Sequence, residues 1–489
     1  MNKSLLISLP VLLLAATSCV DSLTDYNVDP KSATKVPGST LFSTAERALA
    51  RQVTSTNVNQ NPFRLYVQYW GQTTYFDESI YDIKTRQIDR NFWNQMYRGG
   101  GTTDPTIDGT GVLRNLVEAR NIITADALLD PKVKANQLAC IEVLSVYAWS
   151  TLVNTYGNVP YSEALDPTKF QPKYDDAKAI YDDLFLRLDA AIGQIDASAP
   201  GLDNADKIYG NNMAGWKKFA NSLKLRMALT IADADAAKAK TLAEQAALGA
   251  FTSNGDNAAF QFLSSPPNTN PLWEDLVQSG RKDFVGTNFF ITRLNTLNDP
   301  RLPYYFDVKT GTTTYVGGIY GQGNVAANFS NPGAALRNPT LPGILESYSE
   351  VEFLLAEAVE RGFNVGGTAA SHYENAITAS IQFWGGSVPD ATTYLAQPSV
   401  AYATATGTYK QKIGVQKWIS LYNQPVMAWT EWRRLDYPVL TKPAGALSDI
   451  PLRFTYPTPE SNVNGANYSA ASAAIGGDKV TSKIFWDKF

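Results

Sequence analysis

A chain of 489 residues is long for one hydrophobic core, and length alone would suggest two or three units. Its 42 Lys and Arg against 46 Asp and Glu give a net charge of −4, with no basic stripe, which argues against nucleic acid as a partner. A single histidine excludes a zinc site of two or three imidazoles, and two cysteines exclude a disulfide framework.

The N-terminus carries the strongest signal. Met1-Asn2-Lys3 is a short positive start, and Leu5 to Ala16 is an apolar run broken only by Ser8 and Pro10. That run is too short to span a bilayer, which takes about 20 apolar residues, and fits the core of a secretory signal instead. Small residues then lead to Cys19. The pattern predicts a lipoprotein signal peptide over residues 1–18, a covalent lipid on Cys19 and a tether over 19–38. No later segment reads as apolar enough to span. Residues 39–489 are read as one domain.

Helical periodicity dominates that domain. Ser39 is placed as the cap of a helix bearing Leu41, Ala45, Ala48 and Leu49, and a second run lies near Phe63 to Trp70. Apolar stripes then predict adjacent helix pairs: 108–129 with 133–156, 176–197 with 213–232, 349–362 with 368–384, and 409–421 with 425–435. Gly157 is read as a helix stop. No run of alternating strands is convincing, so the fold class is mainly α, with helix pairs stacked as tetratricopeptide-like units. Between about 252 and 345 the helical signal fails. Pro266-Pro267, Asn270-Pro271, Asp299-Pro300, Gly317-Gly318 and Asn331-Pro332-Gly333 mark a long irregular insertion, and its embedded aromatics argue that it is ordered.

Tests for catalytic chemistry return little. His372 stands alone in an apparent helix, and Ser32-Ala33-Thr34-Lys35 matches S-x-x-K within the tether, where chance explains it. Gly321-Gln322-Gly323 is turn chemistry. Glu346, Glu350 and Glu357 could share a helix face and so evoke the paired carboxylates of a glycosidase. Glu431 with Arg433 and Arg434 reads as a structural ion group. Cys140 reads as a small buried hydrophobe. No catalytic residue, metal site or cofactor beyond the lipid on Cys19 is assigned.

Several segments resemble the SusD/RagB family of nutrient-binding outer-membrane lipoproteins, and its SusD-like branch in particular. They are Asn27-Val28-Asp29-Pro30, the run from Thr155 to Ala164, the run from Trp216 to Leu229, Asp299-Pro300-Arg301-Leu302, and Ser349 to Ala358. Gln416-Lys417-Trp418-Ile419, Glu431-Trp432-Arg433-Arg434 and Arg453-Phe454-Thr455-Tyr456-Pro457 complete the ordered series. The resemblance implies a SusD-like fold and a SusC-like, TonB-dependent β-barrel transporter as partner, capped from outside the cell. It also implies that the ligand face draws on the segment after the first helices and on the insertion. Trp70, Tyr75, Asp77, Tyr81 and Arg86 are candidates in the first region; Trp273, Tyr304, Tyr315 and Tyr320 are candidates in the second. Aromatic faces stack on sugar rings, and Asp and Arg hydrogen-bond hydroxyls. The reading is therefore a surface-binding subunit for oligosaccharide import, not an enzyme. Peptide as the ligand, and a structural lid without recognition of its own, stand as alternatives; a surface glycosidase is disfavoured.

Overall fold

The computed structural model describes residues 36–99 and 111–489. The expectations for the signal peptide, Cys19, the Asn27–Pro30 motif and Ser32–Lys35 lie outside these residues. Residues from Gly38 to Phe489 pack as one compact unit.

The fold is mainly α, and the apolar stripes seed its helices. Gly38–Thr54 starts one residue before Ser39, which therefore sits in the first turn and does not cap it. Its Ala45, Ala48 and Leu49 are buried against Val112–Ala125, whose Val112, Leu116, Ala119 and Ile123 face back. Pro131–Tyr156 follows, started by Asp130, which accepts from the Lys132 and Val133 amides ahead of the Pro131 ring. By length and composition this helix could cross a membrane, contrary to expectation, but 89% of its apolar window is buried inside the protein. It is the core helix on which Ala177–Gln194 packs.

Pairing departs from expectation in the first half of the chain, where Val112–Ala125 packs most on Gly38–Thr54 and Ala177–Gln194 on Pro131–Tyr156. Met213–Thr230 packs chiefly on a helix the periodicity did not mark, Ala236–Ala247. Farther on, Tyr348–Glu360 pairs with Ala369–Phe383, and Tyr409–Ser420 with Pro425–Leu435.

Strands are short antiparallel ribbons, and they organise the insertion. Ala258–Phe260 pairs with Gly343–Glu346, clamping its two ends together, while Phe284–Gly286 from its middle pairs with Trp70–Gln72. Elsewhere it follows irregular backbone satisfied by side chains. Asn324 Nδ2, for instance, donates to the carbonyls of Gln72, Ile319 and Gln322, each at 2.9 Å. Helical structure is not absent: Asn288–Thr296 forms more than two turns.

The glutamates that evoked a glycosidase are core ion partners. Glu350 takes a bidentate pair from Arg226 (2.6 and 2.8 Å), and fully buried Glu346 lies 3.5 Å from the same guanidinium. Glu357 and Glu431 both hold Arg434, and Lys417 reaches Glu431, tying three helices together. Burial alone would raise the Glu431 carboxyl, but Arg434 and Lys417 outweigh it and hold the group well below its ordinary range. Arg433 is not part of this ion group. It donates to the Asn154 and Leu452 carbonyls and lies 3.5 Å over the Trp429 ring.

Candidate ligand-binding site

The ribbon between Trp70–Gln72 and Phe284–Gly286 brings the two expected ligand regions together. Register pairs Trp70 with Gly286 and Gln72 with Phe284, and beyond the strand end the Thr73 amide still reaches the Asp283 carbonyl at 2.9 Å. Past this point the chain leaves the sheet, and Tyr75 projects with 61% of its surface exposed. A cavity of about 300 Å³ opens beside it. Tyr75, Arg86 and the Thr56–Asn59 loop line it, facing Asp275, Ser279, Arg281, Asp283 and Phe284 from the insertion.

Each wall is braced from behind. Asn57 Oδ1 accepts from the Asn59 amide, and Asn91 Nδ2 donates to the Asn59 carbonyl, both at 2.9 Å. Buried Arg64 donates to the Thr54 and Ser55 carbonyls at 2.9 and 3.1 Å, holding the root of this loop. Burial pulls the Arg64 guanidinium down to about 10, still charged at neutral pH. Arg86 lies 5.8 Å over the Tyr75 ring, pairs with buried Glu78 and sits 3.8 Å from Asp77. Burial raises the Glu78 carboxyl, opposed by the Gln72 amide at 2.6 Å and by Arg86. On the opposite wall, Glu274–Gln278 forms a π-helical turn, an irregularity frequent at functional sites. Burial and the neighbouring Glu274 charge push its Asp275 up to about 7.

The structure thus gathers Tyr75 and Arg86 at one cavity, with Asp77 behind Arg86. It places the other candidates elsewhere. Trp70 is fully buried: its indole donates to Tyr422 Oη at 2.7 Å, and its ring lies 5.1 Å from Phe284 and 5.2 Å from the Arg64 guanidinium. It supports the cavity wall and offers no face to a ligand. Tyr81 and Tyr320 are also buried, their rings 6.4 Å apart, where the 320 loop packs on the Tyr81 turn. Trp273 is half-buried and outside the cavity lining; half-buried Tyr304 donates to the Gly385 carbonyl at 3.0 Å, and half-buried Tyr315 lies farther along the insertion. What sequence reasoning missed is polar. The Thr54-Ser55-Thr56-Asn57-Val58-Asn59 stretch and the charged run Ser279 to Asp283 form most of the lining, and both are visible as polar runs abutting apolar segments.

The helical scaffold thus carries an open, tyrosine-edged cleft lined by charged and amide side chains over a largely apolar surface. The sequence profile of the SusD-like family, described as starch-binding and associating with the outer membrane, matches residues 30–457, and the chain belongs to that family. Among solved structures, a chitin-binding protein superposes with a TM-score of 0.78 at 26% identity, over 92% of this chain and 100% of its own. A SusD homologue from Bacteroides uniformis gives 0.78 at 25% identity, covering 92% and 99%. A chitin-binding SusD homologue from Flavobacterium johnsoniae gives 0.73 at 25%, covering 92% and 98%. No curated protein sequence matches.

Proposed function

We propose that this protein is a cell-surface lipoprotein, anchored through Cys19, that captures an oligosaccharide in the cleft beside Tyr75. It delivers the ligand to a SusC-like TonB-dependent outer-membrane transporter and binds without turnover. The observation that carries this reading is the exposed Tyr75 ring at the lip of a cavity walled by Asn57, Arg86, Arg281 and Asp283. A ring face supports the C–H face of a sugar, while amides, guanidinium and carboxylate groups exchange hydrogen bonds with its hydroxyls. The starch-binding description of the family and the chitin-binding names of two relatives support the same ligand class. The charges on the lining favour a second reading, a peptide whose termini and side chains pair with them.

Affinity electrophoresis through gels containing soluble starch or glycol chitin separates these readings. The wild type should be retarded by one of the polysaccharides. Tyr75→Ala should lose about fivefold in affinity, for roughly 1 kcal/mol of lost stacking, with unchanged circular dichroism. Migration unaffected by either polysaccharide, together with retention of a tetrapeptide mixture, would favour the peptide.

A further inference from the structure

All but one of the charged side chains lining the Tyr75 cavity hold an opposite charge. Arg86 pairs with Glu78 and lies 3.8 Å from Asp77, and Arg281 pairs with Asp283 at 2.7 Å. Asp275 is the remaining one. It is half-buried in the π-helical turn, and its carboxyl has no hydrogen bond or ion pair among the described residues. The cations that face it are engaged elsewhere. Both oxygens of Glu274 take the Arg51 fork, at 2.8 and 2.7 Å, and Arg47 donates to the Pro267 carbonyl at 2.9 Å. Arg64 donates to the Thr54 and Ser55 carbonyls.

A carboxylate left without a donor inside a cavity is poorly stabilised. Burial and the Glu274 charge push Asp275 up to about 7, with Asp283 adding to the push and Arg51 and Arg64 opposing it. Glu274 differs: burial would raise it, but the Arg51 fork holds it below its ordinary value. A ligand that brings hydroxyl or ammonium donors supplies what Asp275 lacks, and bonds to a carboxylate are stronger than bonds to the neutral acid.

We propose that Asp275 is the carboxylate that selects the ligand: it accepts from the donors of a bound sugar only when charged, and it turns away acidic sugars. This rests on the oligosaccharide reading above. Binding then displaces the Asp275 proton, and affinity falls as pH drops through neutrality. A carboxyl titrating near 7 is about one-tenth charged at pH 6 and about nine-tenths charged at pH 8. The one histidine, His372, bonds to Glu352 and lines neither this cavity nor the one beside Arg51, so it does not supply the same profile.

Isothermal titration of the mature lipoprotein with maltohexaose and chitohexaose at pH 6 and pH 8 tests this. The chain that binds should do so about tenfold more tightly at pH 8, and comparison of phosphate and Tris buffers at pH 7 should show proton release. Asp275→Asn keeps the shape, removes the charge and should reduce the pH effect to under twofold. Tyr75→Ala should weaken binding at both pH values and keep the tenfold ratio. Asp275→Ser serves if Asp275→Asn shows a lowered melting temperature. Hexagalacturonate, anionic at both pH values, should bind at least tenfold more weakly than the neutral chain. Binding with a flat wild-type profile and no proton release would overturn the role of Asp275 and leave the Tyr75 site standing. So would an undiminished pH effect in both Asp275 variants, or hexagalacturonate binding as tightly as the neutral chain. If neither neutral chain binds at pH 8, the oligosaccharide reading fails and this role falls with it.

Discussion

Trp70 and Tyr75 lie a few residues apart in one aromatic, polar stretch, yet one is core and the other is the lip of the cleft. The difference is set by partners distant in sequence. Trp70 falls inside the ribbon, where Phe284 and Tyr422 cover it, while Tyr75 falls just beyond the last paired residue. Composition marks both as aromatic and cannot tell which one the distant strand will bury. Tyr81 and Tyr320 met the same fate by covering each other. His372 was legible only as a lone imidazole; the structure places its Nδ1 2.6 Å from Glu352 across the Tyr348–Glu360 and Ala369–Phe383 pair. Burial pulls its pKa down, but the bonds to Glu352 and the Gly366 carbonyl outweigh this and leave it raised. A raised imidazole stabilises fully below its unfolded pKa of about 6.5, and that contribution fades as pH climbs through the folded value. His372→Gln should therefore cost on the order of 1 kcal/mol at acidic pH and less in alkaline buffer, read from urea denaturation. An equal cost at both ends would show that the charge on the ring contributes nothing.

At the scale of elements, strong stripes located the predicted helices well because buried Leu, Ile and Trp recur at helical spacing, but they fixed the pairing only for the two later pairs. Ala236–Ala247 escaped because its buried face is Ala239, Ala243 and Ala246 around one Leu, too weak an apolar contrast to register. The insertion was legible as irregular but not as clamped, since its ribbons are only three or four residues long. Gly157 was read as a stop, and its backbone shows why. With φ +82° and ψ −124° it occupies a region essentially closed to side-chain-bearing residues, although a Cβ there would meet no atom within 4 Å. Gly157→Ala should cost about 1–3 kcal/mol from backbone strain alone. Gly193, within Ala177–Gln194 and equally uncrowded, lacks that conformation, so Gly193→Ala should stabilise by roughly 0.5–1 kcal/mol. Equal and small effects at both positions would show that Gly157 is not strain-limited.

For the whole molecule, length suggested several units, but Gly38 to Phe489 forms one, because the first helix, the insertion and the C-terminal helices share one large core, with a smaller cluster around Phe353 and Tyr373 beside it. The ribbon joining residues 70–72 to 284–286 then makes a cleft that neither region forms alone. The proposed lipid anchor is a separate matter, resting on the N-terminal sequence pattern alone. Cys19→Ala should move the protein from the membrane fraction to the soluble one, and persistence in the outer membrane would contradict the lipid anchor. Whether an oligosaccharide lies along this cleft is decided by a crystal structure of the mature protein with a bound six-unit chain. Sugar density should lie against the Tyr75 ring, within reach of Arg86 and Asp283. Density confined to another face, such as the cavity beside Trp93 and Phe170, with the Tyr75 cleft empty, would contradict it.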